Sequence, residues 1–447
     1  MEAQRGQWGS KIGFILAGAG AAIGLGNIWR FSYVAGENGG AAFVLTYLIF
    51  VFFFGIPLMI AEIAIGRKTQ KNPVGAFTSI SNSKFWKFVG YFAVLTNIGI
   101  LAFYSVIAGW TFGYIFKMLS GDAFGYQTFV SNPIFEIGLF AIFLIFTAGI
   151  VYGGVEKGIE KWSKILMPLL FLIMIILIIY ANFLEGSSKG LEFYLKPDFS
   201  KITPKVILSA IGQAMFSLSL GMGLMVTYGS YLSKKENIFV SGTTIALLDT
   251  AVAIMAGFVI FPALFAMGGN PQAGPALVFE VLPKLFMGMP GGQIVGAFFF
   301  VLLSIAALTS TISMLEVPVS FFVDEKKINR KKIVIYATIF TFIMGLPSAL
   351  SQGTIDVFTN FGLLPKSICS PDFLSHMNFI FGDFAVVLGA LFASVFVGWV
   401  WGIKPATEEI SEGSNNFKKI AFLWGFFIKF IIPIIISLIL LSLFGII

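Results

Sequence analysis

Apolar residues in this chain come in runs long enough to cross a bilayer, one after another from residue 12 to residue 446. A hydrocarbon core of ~30 Å needs about 20 apolar residues per helix. Lipid offers backbone groups no hydrogen-bond partner, so a spanning segment must be a helix or part of a closed barrel. The runs fall at about 12 to 36, 41 to 66, 88 to 118, 134 to 153, 162 to 183, 206 to 232, 238 to 268, 292 to 323, 333 to 350, 380 to 402 and 420 to 446. They predict an all-α polytopic membrane protein with 11 transmembrane helices in a single domain spanning 1-447. With 57% of residues apolar, 11% charged and a mean hydropathy of +0.91, the chain lies far outside the soluble range. No basic stretch with a small-residue cleavage site opens it, so the first run is expected to stay in the mature protein.

The first and sixth runs are each interrupted by glycines and polar residues: GAAIGLGNIWRF from Gly20 and FSLSLGMG from Phe216. A break frees backbone groups that lipid cannot satisfy, so it persists only where protein buries it or a cavity adjoins it. The two interrupted runs begin an odd number of helices apart, which gives the units they open opposite orientations. That is the pattern of an inverted-repeat transporter with its site at the midplane, with repeat one at about 11-183, repeat two at about 205-402 and an extra helix at about 420-446. At the first break the carbonyls of Gly20, Ala22 and Ile23 can face a cation and the amides of the next half-helix an anion, with Asn27 adding an oxygen. Ser217 and Ser219 add hydroxyls at the second. Together they suit an alkali cation and a small zwitterion. The alternative is that Gly20 and Gly24, four apart, serve close helix packing. A nucleotide site is excluded, because Gly18-Ala19-Gly20 lacks a third glycine in position and follows no strand.

Lys and Arg number 29 against 22 acids, and their clusters fall on one side of the membrane: Arg67/Lys68/Lys71, Lys84/Lys87, Lys157/Lys161/Lys164, Lys234/Lys235, Lys326 to Lys332 and Lys418/Lys419. By the positive-inside pattern the N-terminus is cytoplasmic and the C-terminus outside. A bias to Phe, Ile and Lys suggests a bacterial cytoplasmic membrane. Cys369 and His376 are each the only residue of their type, which excludes an internal disulfide and is poor material for a Cys/His metal site or an acid-base cluster, so no enzyme is expected. No run carries the polar stripe of a channel. Asp249 and Glu62 lie inside runs, where an ionised carboxylate costs about 2.5–3.5 kcal/mol, and each therefore needs a partner. Outside connections are expected at 184 to 204, 268 to 291 and 351 to 379, with a short amphipathic helix at Leu277 to Phe286 capping the outer face.

Arg5, Trp8, GLGNIWRF, ENGGAAF from Glu37, GIPLMIAEIAIGR from Gly55, the third run with Tyr104 and Trp110, GQAMFSLSLGMG from Gly212 and AALTSTISMLE from Ala306 together resemble the neurotransmitter:sodium symporters, specifically their bacterial amino-acid transporters. The resemblance implies a five-plus-five inverted helix fold, with helices 1, 2, 6 and 7 rocking against 3, 4, 8 and 9, no cofactor, and Na+ as the co-transported ion. It implies one sodium held by Ala22, Asn27, Ser217, Asp249 and the substrate carboxylate, and a second held by Gly20, Ile23, Ala306, Thr309 and Ser310. The carboxylate would meet the Gly24 and Gly26 amides and Tyr104; the amine would meet Ala22, Phe216, Ser217 and Ser219. Amine-transporting relatives carry Asp at the position of Gly24, so an amino-acid substrate is favoured. The implied side-chain pocket is Ala21, Leu25, Ile100, Phe216, Met222, Ser310 and Met314. Lacking a charge to pair a charged substrate, it favours tyrosine, tryptophan or phenylalanine, with transport of small aliphatic amino acids and a non-transporting sensor as alternatives.

In the same resemblance Asp249 stands at a sodium ligand and Ala253, one turn away, at the chloride or compensating-carboxylate position. Asp249 is therefore expected to be both sodium ligand and replacement for chloride, the alternative being a protonated Asp in a helix contact. Glu62 would hold amides freed by the breaks. Arg30 would form an outer gate with a helix 10 residue aligned here with Asn378, and Arg5 and Asp324 an inner gate with Trp8, Tyr231 and Glu316. Gly158 and Pro168 match a spacing linked to unwinding of helix 5. Two sodium ions, at about 2.3 kcal/mol per charge per 100 mV and about 1.4 kcal/mol per tenfold gradient, would supply roughly 7 kcal/mol.

Overall fold

The computed structural model describes residues 6–121, 129–272, 274, 276–413 and 415–446, with helices and no strand among them. The first segment is two helices, α1 (Lys11–Ala22) and α2 (Gly26–Glu37), bent by 56° at the break. There follow α3 (Ala41–Thr69), a short α4 (Pro73–Ile80), α5 (Lys84–Ser120), α6 (Pro133–Tyr152), α7 (Val155–Phe183) and the connecting helix α8 (Ser187–Leu195). The sixth expected segment is α9 (Pro204–Ser217) and α10 (Leu224–Gly229), separated by a break. The chain continues through α11 (Ile238–Ala266), α12 (Leu282–Met287, entered through a π-wound Leu277–Val281), α13 (Gly292–Lys326), α14 (Arg330–Ala349), α15 (Phe373–Ser411) and α16 (Ala421–Leu443).

Nine helices among the described residues are long and apolar enough to span, or ten if α1 and α2 count as one. The expectation was 11. The difference lies in the sixth segment, since neither α9 nor α10 reaches spanning length alone. Local chemistry explains where helices begin. Asn72, Asn132 and Thr203 each cap with the side-chain oxygen, and Pro73, Pro133 and Pro204 follow at the first helical position. Proline costs nothing there because its missing N–H has no intrahelical partner.

Burial is inverted relative to a soluble protein. Large apolar side chains such as Phe52, Phe146, Ile176 and Ile343 are exposed, while Asn27, Glu62, Asp249 and Thr309 are buried. Such a surface fits lipid and not water. At the centre, α5 lies along α13 and both run past the two breaks.

Contacts gather the basic clusters at one end, the basic end. There the buried Arg67 guanidinium donates to Glu409 Oε1 (2.8 Å), to the Glu236 carbonyl (2.5 Å) and to the Glu409 carbonyl, and Lys234 Nζ reaches Glu409 Oε2 (2.7 Å). This clasps α3 to the amphipathic last turns of α15, Ile403–Ser411. Removing one member of a buried pair leaves the other charge uncompensated, at a cost of about 3–5 kcal/mol. Glu409→Ala is therefore expected to lower the thermal unfolding midpoint in detergent sharply, read by fluorescence-detected gel filtration; an unchanged midpoint would contradict the assignment.

Candidate functional site

The first break is made by Ile23, whose extended ψ of 113° ends α1, and by the π-wound turn Gly26–Arg30 that starts α2. Asn27 turns back on the break: its Oδ1 accepts the Gly24 N–H (3.0 Å). At the second break Ser219, Gly221 and Gly223 all have positive φ. Glycine at 221 is required twice over, by φ +89° and by a Cβ that would stand 2.1 Å from the Val386 carbonyl. Its amide donates to Glu62 Oε1 (2.7 Å), so Glu62 holds an amide freed by the second break.

The two breaks are joined through polar side chains. Asn27 Nδ2 donates to Ser217 Oγ (2.8 Å), to Asp249 Oδ1 (2.7 Å) and to the Asp249 carbonyl (3.0 Å), while Ser217 Oγ donates to Asp249 Oδ2 (2.8 Å). Three residues named for the first sodium, from α2, α9 and α11, thus meet in one buried cluster beside the C-terminal end of α1, where Ala22 lies. For the second, Ser310 Oγ is 2.9 Å from the Ile23 carbonyl and 3.3 Å from that of Ala306, and Thr309 Oγ1 is 3.0 Å from the Ala306 carbonyl. A Cβ built on Gly20 would sit 3.0 Å from that of Thr309. Carbonyls and hydroxyls are hard oxygen donors, suited to an alkali cation and not to a soft metal.

Between the breaks lies a cavity lined by Ala22, Gly24, Gly26, Ile100, Tyr104, Phe216, Ser219, Met222, Ser310, Met314 and Val386. Tyr104 OH accepts the Leu25 N–H (2.8 Å) and Ser219 Oγ reaches the Ala21 carbonyl (3.3 Å). A Cβ at Gly24 would stand 2.6 Å from Ser310 Oγ and 2.7 Å from the Tyr104 hydroxyl, so a larger residue there would have to displace them. Two expected wall residues are absent. Ala21, still within regular α1, is not among the lining residues, though its carbonyl meets Ser219, and Leu25, past the bend, lines a vestibule. Val386 was not foreseen. It reaches the cavity because α15 packs on Gly221.

The vestibule side closes over Phe216. Arg30 Nη1 pairs with Asp383 Oδ1 at 2.9 Å, and its guanidinium lies 4.3 Å above the Phe216 ring. The expectation that Asn378 faces Arg30 is corrected: Asn378 Nδ2 donates to Asp383 Oδ2 (3.2 Å) and the charge partner is Asp383. Residues Asn378–Ala385 are π-wound, and i→i+5 bonding sets positions 378 and 383 one above the other. The expected short helix is present, with the Phe279 ring edge-on to Trp29, Trp110 and Tyr114 above the vestibule.

At the basic end Trp8 Nε1 donates to the Tyr228 carbonyl (2.9 Å) and its ring meets Phe14, Tyr228 and Tyr231. Tyr231 OH donates to Glu316 (2.6 Å), which is also forked by Arg330 (2.9 and 2.5 Å). Arg5 lies outside the described residues. Asp324 accepts from the Asn72 amide and side chain (3.1 and 3.3 Å). Helix α7 runs through Gly158 and Pro168, π-wound over Val155–Glu160, and its buried Glu160 accepts from Gly9 N (2.6 Å) and Ser10 Oγ (2.8 Å). Sequence reasoning gave Arg330 no role beyond its basic cluster and did not name Glu160, whose partners Gly9 and Ser10 lie 151 and 150 positions away.

A family model described as the Sodium:neurotransmitter symporter family matches residues 5–127 and 136–446. An uncharacterized sodium-dependent transporter of Bacillus subtilis, YhdH, is 38% identical over 451 residues, with 98% of each chain covered. Another from Methanocaldococcus jannaschii is 31% identical, covering 97% of this chain and 89% of that protein. A crystal structure of MhsT in complex with L-phenylalanine superposes with a TM-score of 0.87 at 44% identity, covering 98% of this chain and 100% of that one.

A partly exposed pair such as Arg30–Asp383 is worth up to about 1 kcal/mol, or fivefold in a population. Asp383→Asn is expected to raise, by up to about fivefold, the rate at which a membrane-impermeant thiol reagent labels Ile100→Cys in a Cys369→Ser background. An unchanged rate would mean that the pair does not close the vestibule.

Proposed function

The chain belongs to the sodium:neurotransmitter symporter family, and we propose that within it this protein takes up a hydrophobic, preferably aromatic, L-amino acid together with two sodium ions and without chloride. It is a sodium-dependent membrane transporter and not an enzyme. The observation that carries the finer reading is the cavity itself: amides, carbonyls and hydroxyls on the side of the first break, Ile100, Phe216, Met222, Met314 and Val386 on the other, and no charged side chain among the lining residues. Such a site accepts the carboxylate and amine that all amino acids share and rejects a charged side chain, which would be buried unpaired. MhsT, alike over nearly the whole chain, is seen with L-phenylalanine.

In this reading the first sodium binds among Ala22, Asn27, Ser217 and Asp249 and is completed by the substrate carboxylate, so neither binds well without the other. The second sits among Gly20, Ile23, Ala306, Thr309 and Ser310. Substrate carboxylate meets the amides near Gly24 and Gly26 and the Tyr104 hydroxyl; Ser219 and the carbonyls of Ala22, Phe216 and Ser217 receive the amine. Asp249 supplies next to the first sodium the negative charge that a chloride would otherwise bring, and Ala253, one turn further along α11, offers no ligand. Alternating access then amounts to opening either the Arg30–Asp383 side or the Trp8, Tyr231 and Glu316 side, each closed over the same site. The N-terminus and the basic clusters would lie in the cytoplasm.

Reconstituted into proteoliposomes, the protein is expected to accumulate labelled phenylalanine only under an inward sodium gradient, with tyrosine and tryptophan competing and glycine and glutamate not. Exchanging chloride for gluconate should leave the rate unchanged, and Asp249→Asn should lower it by about tenfold or more. Uptake that stops without chloride removes the role given to Asp249; better competition by glycine than by any aromatic amino acid removes the substrate assignment.

A further inference from the structure

Asn97 lies on α5 three residues before Ile100 and seven before Tyr104, so it shares the helix face that both present to the cavity. It is fully buried. Its Nδ2 donates to the Ala93 carbonyl (2.8 Å) and to the Met222 carbonyl (2.6 Å). Two carbonyl partners fix the amide orientation, because a flipped side chain would set oxygen against oxygen. Oδ1 is therefore the atom turned away from both, and it is buried with no hydrogen-bond partner. Buried side-chain acceptors in native proteins are seldom left unpaired; water or a ligand completes them.

Asn97 itself adjoins two residues of the cavity wall. Ile100 is one turn further along the same face, and Met222 is the residue whose carbonyl Asn97 grips. The hydroxyls that line the cavity already have partners: Ser310 donates to Ile23, Ser219 to Ala21, and Tyr104 accepts from Leu25. We propose that Asn97 Oδ1 is a polar subsite at the end of the side-chain pocket, accepting a hydrogen bond from a ring that carries a donor, the phenol of tyrosine or the indole N–H of tryptophan. This rests on the amino-acid reading above and adds a selection within the aromatic class. A site built to meet a donor discriminates against the isostere lacking it, since its own acceptor is then left buried and dry.

The test is sodium-dependent binding of labelled phenylalanine by the purified full chain, displaced by tyrosine or by 4-fluorophenylalanine, which match in size but differ in the donor. The wild-type protein is expected to prefer tyrosine by about tenfold, and Asn97→Leu, close in volume, to bring the ratio near one. Equal displacement by the two ligands in the wild-type protein overturns the proposal with no variant needed. So does an Asn97→Leu protein that weakens both in parallel and keeps their ratio, because Asn97 would then only pin Met222. If labelled phenylalanine does not bind at all in sodium, the proposed function itself fails and this inference with it.

Discussion

Everything in this structure follows from the backbone hydrogen bonds that two interrupted helices leave unmade in a medium that cannot make them. An amide or carbonyl without a partner is costly in lipid, so the two breaks must either not exist or be completed from inside the protein. Here they are completed reciprocally. Asn27 caps the Gly24 amide with one end of its side chain and reaches Ser217 and Asp249 with the other; Glu62 takes the Gly221 amide and Asn97 the Met222 carbonyl. A polar centre built this way suits ions and zwitterions because its donors and acceptors are already oriented and already dry.

In the proposed transport cycle the same constraint makes the ends of the molecule responsible for access. With the site fixed at the breaks, transport requires that one end open while the other is shut. Both closures are built from pairs that cross between helices: Arg30 with Asp383 beneath the vestibule, and Trp8, Tyr231, Glu316 and Arg330 at the basic end. Their character differs. Arg30 and Asp383 are partly exposed and screened by solvent, whereas Glu316 is buried and forked by Arg330, so the basic end is held by the stronger set in the state described. The Glu160 carboxylate adds to that hold by gripping Gly9 and Ser10 just ahead of α1.

Particular residues show how far sequence reaches. Asn27, Ser217 and Asp249 could each be singled out as a polar group inside an apolar run, which needs a partner wherever it lies, but only the resemblance named them together. Ile100, Met222 and Met314 could be named only through resemblance, as apolar residues among many. Asp383 was missed although it lies five residues from Asn378, because a π-wound turn alters which residues share a helix face and nothing in the residue types announces that winding. Ala21 and Leu25 were placed in the cavity by the resemblance, and neither is among its lining residues here. Val386, Glu160 and Asn97 entered with the tertiary contacts alone.

By itself the sequence determined that the chain spans a membrane as helices, that two of these are broken, and that the breaks are polar and face protein. These properties belong to local composition, and the free energy of unsatisfied groups in lipid is large enough to decide them run by run. Only the tertiary structure decided which carboxylate meets Arg30, which side chains wall the cavity, and which buried acceptor remains without a partner. Those depend on helix angles and on bends of a few degrees to tens of degrees, summed over packing contacts that are individually weak and far apart in the chain.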